Sequence, residues 1–238
     1  MRLDDPELVR REYESDSGLA GRIAAYRFAQ GPDARALAFR AVAEASPRRL
    51  LEVGCGQGAM AERIQEELDC DVVALDQSAH MVELTKARRV ESFVGDVQQL
   101  PFAADAFDVA LAAWMLYHVP DVDRALGELA RVLRPGGRLV AVTNATDHLQ
   151  ELSGLLGRTG IRAESGFSAE NGGARLERHF ARVERREAYG WIAFPSRAEA
   201  QAYVDSAAGL FGGRAALPEF EGGLRVRRRP VIFVADRA

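Results

Sequence analysis

The sequence predicts an α/β protein, a mainly parallel sheet with helices packed on both faces. Three observations predict it. Short apolar runs of strand length alternate with helical patterns from Arg49 to Thr143, and strands joined through crossover helices pair in parallel with both faces covered. A glycine cluster lies where the first of these strands turns into a helix. The 238 residues are 47% apolar and 28% charged, enough for one substantial core.

In chain order, Pro6 to Ala45 carries two or three helical patterns broken at Gly18 and at Gly31-Pro32, an appendage ahead of the sheet. Arg49 to Gly54 predicts a strand ending in glycines, and Ala59 to Leu68 the helix after it. Asp71 to Asp76 is a second strand, Ser78 caps a helix running to about Arg89, and Ser92 to Val94 is a third strand. Phe107 to Ala113 predicts a buried strand. Val122 to Leu133 is an amphipathic helix stopped by Pro135-Gly136-Gly137, with a strand from Arg138 to Thr143. Beyond Asn144 the pattern predicts a helix to about Arg158, Gly-rich connections, a capped segment from Ser168 to His179 and a strand from Val183 to Tyr189. Ser196 to Ala208 reads as helix, and Leu224 to Ala235 contains a last strand whose Pro230 argues for an edge or a bulge. With no repeat and no low-complexity linker, one domain over 1–238 is expected: a helical cap (1–46), a core (47–144) and a second half (145–238) with a helical insertion at about 194–222.

Lys and Arg total 31 against 35 Asp and Glu, a net charge of −4 that gives no global reason to bind nucleic acid. Lys86 is the one lysine, so the arginine richness reads as a chain-wide bias. The runs Arg185-Arg186 and Arg225 to Arg229 read as a solvated sheet edge. Cys55 and Cys70 have neither CxxC nor Cys/His spacing, which predicts no disulfide framework, no metal site and a reducing, cytoplasmic setting. The N-terminal MRLDDPELVRREYESD lacks the apolar core of a signal peptide, and the run Val109 to Tyr117 is too short to span a bilayer. No membrane association is expected.

In Glu52-Val-Gly54-Cys-Gly56-Gln-Gly58-Ala59 the glycines allow a sharp turn and a close backbone approach to a ligand. Gly54, Gly56 and Ala59 satisfy a dinucleotide fingerprint, while the lysine of a phosphate-gripping loop is missing. Asp76 ends the second strand, where a carboxylate can accept from two ribose hydroxyls. Asp96 follows the third strand and could take an adenine amine, with Val97 against the ring. From Glu52 to Glu62 there are two acids and no base, which suits a cationic sulfonium better than a pyrophosphate. These features favour S-adenosylmethionine.

The segments LLEVGCGQG, VVALD, GDVQQLPFAADAFDVALAAWMLYHVPD and LARVLRPGGRL, in this order from Leu50 to about Thr143, resemble class I S-adenosylmethionine-dependent methyltransferases. The resemblance is to the ubiquinone/menaquinone-biosynthesis methyltransferase-like branch. It implies a Rossmann-like, doubly wound, seven-stranded sheet under a helical lid. It also implies that Glu52, Gly54, Cys55 and Gly56 shape the methionine pocket, that Asp76 and Gln77 meet the ribose, and that Asp96 and Val97 meet the adenine. Ala113 would offer backbone contacts to the amino-acid part, Arg22 would pair with its carboxylate, and Tyr26 would be a lid contact. Cys55 has no paired histidine and reads as a packed thiol, not a nucleophile.

Methyl transfer from a sulfonium is an in-line displacement in which alignment supplies much of the acceleration. An acceptor hydroxyl or ammonium must still lose a proton, and histidine is the side chain matched to neutral pH. His118, beyond the fourth strand, is the leading candidate base, with His148 as a second base or a substrate donor. Trp114, Tyr117 and Asn144 are expected against the acceptor, while His80 reads as solvated or cofactor-side and His179 as structural. The expected function is methyl transfer to O or N of a small molecule by a monomer or homodimer. The rivals are an RNA or protein methyltransferase, a non-catalytic S-adenosylmethionine-binding protein and a nicotinamide dehydrogenase.

Overall fold

The computed structural model describes residues 4–5, 7, 9–10, 17–158, 166–208 and 213–238. The helical pattern expected over 11–16, and parts of the connections near 160 and 210, lie outside the described residues.

The chain enters through α1 (Ser17–Ala25), a single 3-10 turn and the two-residue strand β1 (Ala29–Gln30), then α2 (Ala34–Ala43). Gly18 sits in the first turn of α1, where the backbone N–H groups have no intrahelical partner, and the stretch just before Ser17 lies outside the described residues. The core follows the expected alternation: β2 (Arg49–Val53), α3 (Ala59–Leu68), β3 (Asp71–Asp76), α4 (Ala79–Ala87), β4 (Glu91–Val94), β5 (Phe107–Ala113), α5 (Val122–Val132) and β6 (Leu133–Asn144). The second half adds α6 (Gln150–Leu155), α7 (Gly172–Leu176), β7 (Arg182–Glu187), β8 (Gly190–Phe194), α8 (Arg197–Ser206), β9 (Leu224–Arg228) and β10 (Pro230–Asp236).

Seven strands form the main sheet in the order β4-β3-β2-β5-β6-β10-β7. The pairs from β4 to β6 are parallel and β10 is antiparallel to both of its neighbours. The order reverses between β2 and β5, and in an open α/β sheet the crevice at such a switch point is where ligands bind. Alternation along each strand divides the core between the two faces. Leu51, Val53 and Leu75 pack with Leu126, Leu129 and Phe233 on one side. Leu50, Val72 and Leu111 pack with Val42, Ile64 and Ile232 on the other. In α5 the buried Val122, Ala125, Leu126, Leu129 and Val132 follow the helical repeat, and the Asp121 side chain caps its start by accepting from the Arg124 N–H at 3.0 Å.

Several details depart from the sequence reading. Pro135-Gly136-Gly137 does not separate helix from strand, because Leu133 already pairs with Phe107. The register then jumps to Arg138 opposite Val109, so residues 134–137 form a bulge that only a glycine-rich stretch makes easily; Gly136 has φ +73°. The helix after Asn144 is confined to α6. Pro230 is neither at a sheet edge nor in a bulge: it is the first residue of β10, which lies between β6 and β7, a position where the missing N–H removes no interior ladder bond. The expected last strand is two strands, parted at Arg229 and belonging to different sheets. Arg228 is 2% exposed and so is not part of a solvated edge.

The second sheet is the main surprise. β1, β8 and β9 form a three-stranded antiparallel sheet, with Ala29 opposite Ile192 and Ile192 opposite Val226. Ile192, Phe194, Tyr203, Val204, Val226 and Leu152 make its own core. The Gly21 backbone comes so near α8 that a Cβ there would stand 2.5 Å from Ser206 Cβ. Within the expected insertion at about 194–222 the described residues hold the helix α8, and the flanking strands β8 and β9 join β1 in the sheet that roofs the crevice.

Candidate functional site

β2 ends at Val53 and the chain turns through Gly54, Cys55 and Gly56 before α3 begins. Gly54 has φ +66°, and a Cβ there would meet Met115 Cβ at 2.6 Å, so neither its backbone nor its surroundings admit a side chain. The Gly54 N–H donates to the Leu75 carbonyl at 2.7 Å, which ties the loop to β3. From the end of β3, Asp76 continues the same tie: its Oδ2 accepts from the Gly56 N–H at 2.9 Å and its Oδ1 from the Ser78 N–H at 2.9 Å. Burial pushes the Asp76 carboxyl above the usual carboxylate range, and the hydrogen bonds from Ser78, Gly56 and Gln77 oppose that shift.

Glu52 is 3% exposed beneath the loop. Burial raises its carboxyl to about 8, assisted by the Asp76 charge and opposed by the Ala61 N–H. Its Oε2 has no hydrogen-bond partner. Burial also holds the Cys55 thiol protonated, with Thr85 Oγ1 3.4 Å from its sulfur, so this cysteine is packed and unreactive. The loop is braced from outside by Thr85, which donates to the Gly56 carbonyl at 3.1 Å, and by Arg88, which donates to the Gln57 carbonyl at 2.7 Å.

A cavity of about 560 Å³ opens at this crevice. All sixteen residues singled out from the sequence line it: Arg22, Tyr26, Glu52, Gly54, Cys55, Gly56, Asp76, Gln77, Asp96, Val97, Ala113, Trp114, Tyr117, His118, Asn144 and His148. Their surroundings differ. Val97 is buried, while Asp96 is exposed and its carboxylate accepts from the Gln98 N–H at 2.8 Å and from the Gln98 side chain. Arg22 donates through Nη1 to the Ser206 carbonyl at 3.0 Å, binding α1 to α8 over the loop. Tyr117 and His118 pack edge to face with ring centroids 4.5 Å apart.

His148 is buried, and its Nδ1 accepts from the Arg229 N–H at 2.9 Å. A neutral imidazole with Nδ1 as acceptor carries its proton on Nε2, so the Nδ1 lone pair is occupied and does not serve as a base. Asn144 is 7% exposed, and its Oδ1 has no hydrogen-bond partner among the described residues. Trp114 has φ +56°, a left-handed conformation costly for a bulky residue by about 1–3 kcal/mol. Its N–H donates to the Val142 carbonyl at 2.8 Å, so the chain leaves β5 leaning toward β6. The two other histidines stand apart: His80 is exposed on α4, and His179 lies 3.9 Å from Asp123.

Sequence reasoning missed Arg35. This residue is in the first turn of α2 and lines the cavity with its guanidinium over the rings of Tyr26 (5.6 Å) and Trp114 (5.9 Å). No motif surrounds it, and its placement depends on the roof pairing β1 with β8.

A family model described as a methyltransferase domain matches residues 51–141. An uncharacterised methyltransferase of Mycobacterium tuberculosis is 36% identical over 122 residues, 49% of each chain. A demethylmenaquinone methyltransferase of Renibacterium salmoninarum is 38% identical over 108 residues, 44% of this chain and 45% of the relative. The chain thus spans about half the length of the curated relatives it matches. Among solved structures, a methyltransferase described as a possible histamine N-methyltransferase, from Thermotoga maritima, superposes with a TM-score of 0.62 at 19% identity, covering 96% of this chain and 99% of that one. At that identity the likeness establishes the fold.

Proposed function

We propose that this chain is a class I S-adenosylmethionine-dependent methyltransferase, on the strength of its methyltransferase-domain match and its fold, and that it transfers a methyl group to an oxygen or nitrogen of a small-molecule acceptor. The observation that carries the reading is the Asp76 carboxylate, which holds the glycine loop at 2.9 Å while lining one cavity with Asp96, Ala113 and His118. That arrangement fits an adenosyl sulfonium. Asp76 has acceptor capacity left for a ribose hydroxyl, Asp96 and Val97 stand at the β4 end for the adenine, and the turn through Gly54 and Gly56 brings backbone to the cavity wall for the methionine part beside Ala113. When bound, S-adenosylmethionine supplies a methyl group already activated by its sulfonium. The chain's own residues align the acceptor, exclude water under the roof and receive a proton.

His118 is the candidate base, since the Nδ1 of His148 already accepts from the Arg229 N–H. Of the rivals, an RNA methyltransferase needs uncommitted cations beside the site. Arg227 pairs with Glu151 at 2.7 Å, Arg229 with Asp147 at 2.7 Å and Arg186 with Glu44 at 2.8 Å, so these candidates are already neutralised.

The test is a screen of small phenols, alcohols and amines with methyl-labelled S-adenosylmethionine, the product being located by mass spectrometry. A labelled O- or N-methyl product is expected. With the best acceptor, His118→Ala is expected to lower turnover by about 10²-fold or more while leaving cofactor affinity unchanged. Cofactor binding without product from any acceptor would favour the non-catalytic reading, and full activity of His118→Ala across pH would remove the base.

A further inference from the structure

The arginines on the cavity wall are not equivalent. Arg22 donates to the Ser206 carbonyl, and Arg63 is paired with Glu67 at 2.8 Å. Arg35 has no hydrogen bond or ion pair from its guanidinium among the described residues; its contacts are the faces of Tyr26 and Trp114. Those rings orient the cation without neutralising it. Asp33, the neighbouring acid, is occupied in capping α2: its Oδ1 accepts from the Arg35 N–H at 2.8 Å and the Ala36 N–H at 3.4 Å. The other cavity acids are Glu52, Asp76 and Asp96, on or just beyond β2, β3 and β4.

The position of Arg35 sets it apart from the ribose and adenine groups. Those groups follow β3 and β4, whereas Trp114 follows β5, one residue beyond the Ala113 beside the methionine part, and is bonded to β6, which ends in Asn144. Arg35 therefore stands beside the wall of the crevice left for the acceptor, with Trp114, Asn144 and His148. Asn144 Oδ1, buried and without a partner, offers an acceptor for an O–H or N–H on the same side. A half-buried cation without a counter-charge is costly unless a ligand supplies the anion.

We infer that the acceptor is an acid: a hydroxy or amino compound whose carboxylate or phosphate is held by the Arg35 fork between Tyr26 and Trp114. This inference rests on the proposed methyltransferase function and adds the substrate class. Planar bidentate donors match either oxyanion, so the geometry of the fork does not by itself choose between them.

The experiment is calorimetry on the full chain saturated with S-adenosylhomocysteine, titrated with 4-hydroxybenzoate, phenyl phosphate and the uncharged 4-hydroxybenzamide. Wild type is expected to bind at least one of the anions about tenfold or more tighter than the amide. The tighter anion identifies carboxylate or phosphate as the group held. Arg35→Met is expected to erase the preference, and Arg35→Lys to keep part of it, because the charge remains while the fork is lost. Both variants should keep the wild-type melting temperature and S-adenosylhomocysteine affinity. Equal binding of anions and amide by wild type, or a preference that survives in Arg35→Met, overturns the inference. Loss of S-adenosylhomocysteine binding in folded Arg35→Met also overturns it, by assigning the guanidinium to the cofactor carboxylate. A wild-type chain that fails to bind S-adenosylhomocysteine overturns the proposed function, and this inference with it.

Discussion

Glu52 shows what a single residue costs the fold in order to build the site. Its carboxyl is buried among apolar strands, and that burial raises its proton affinity from the ordinary 4.5 to about 8. In the unfolded chain the same group ionises near its ordinary value, so between these pH values the native state binds more protons than the unfolded state. Stability from this group is therefore complete below about pH 4.5 and falls as pH rises through about 8, by at most roughly 1.4 kcal/mol per pH unit. Asp76 contributes in the same direction. Glu52→Gln keeps an oxygen for the Ala61 N–H but cannot ionise. The variant is expected to match wild type in thermal stability at pH 5 and to exceed it at pH 8, with the gap opening in between. Parallel melting temperatures for the two proteins across that range would refute the assignment of the slope to Glu52. The acid was visible in the sequence as part of the glycine turn, but its protonation was not, because desolvation depends on neighbours distant in the chain.

Among the elements, those legible from the sequence carry their own punctuation. β2, β3 and β5 are short apolar runs, α4 begins where the Ser78 hydroxyl accepts from the Met81 N–H at 3.3 Å, and α5 shows a clear apolar stripe. In the roof, α8 carries its Ser196 cap, but the sheet β1-β8-β9 carries no such signal. β1 is two residues long and pairs with β8 across more than half the chain, Ala29 meeting Ile192, so its existence depends on long-range closure and not on local pattern. For the same reason Arg35 could not be placed beside Trp114. One local feature does hold the roof in place: the absence of a side chain at Gly21, where α1 crosses α8. Gly21→Val drives its Cβ to within 2.5 Å of Ser206 Cβ and forces the two helices apart. The variant is expected to retain the far-ultraviolet circular dichroism of the main sheet, to be cut faster by trypsin near Arg22, and to lose at least about tenfold in S-adenosylhomocysteine affinity. Unchanged affinity together with faster cutting would show that α1 is not part of the cofactor pocket.

At the scale of the whole molecule, the cavity lies between the strand ends of the main sheet, α1, the start of α2 and α8, with no one segment containing it. The acids come from β2, β3 and the turn after β4, the aromatic wall from the end of β5 and the chain before α2, and Asn144 from the end of β6. The order β4-β3-β2-β5-β6 follows from crossover connections and was legible as a class of fold. The antiparallel return of β10 and the separate β1-β8-β9 sheet were not, because the last apolar stretch divides between the two sheets at a single residue, Arg229. A ligand filling this cavity contacts segments that come together only in the folded chain, so it must stabilise the whole by linkage. At a concentration of about 100 times Kd the gain is about 2.7 kcal/mol, which for a chain of this size raises the melting temperature by roughly 5–10 °C. S-adenosylhomocysteine and S-adenosylmethionine are expected to produce that shift in a fluorescence melt, and NAD is expected to produce none, since the turn from Gly54 to Gly58 carries no basic side chain to neutralise a diphosphate. The comparison also separates site from scaffold. In Gly21→Val the basal melting temperature should fall only modestly, because the main sheet is intact, while the nucleoside-induced shift should shrink with the lost roof contacts. A full shift with NAD and none with S-adenosylhomocysteine would assign the crevice to a dinucleotide and remove the basis for methyl transfer.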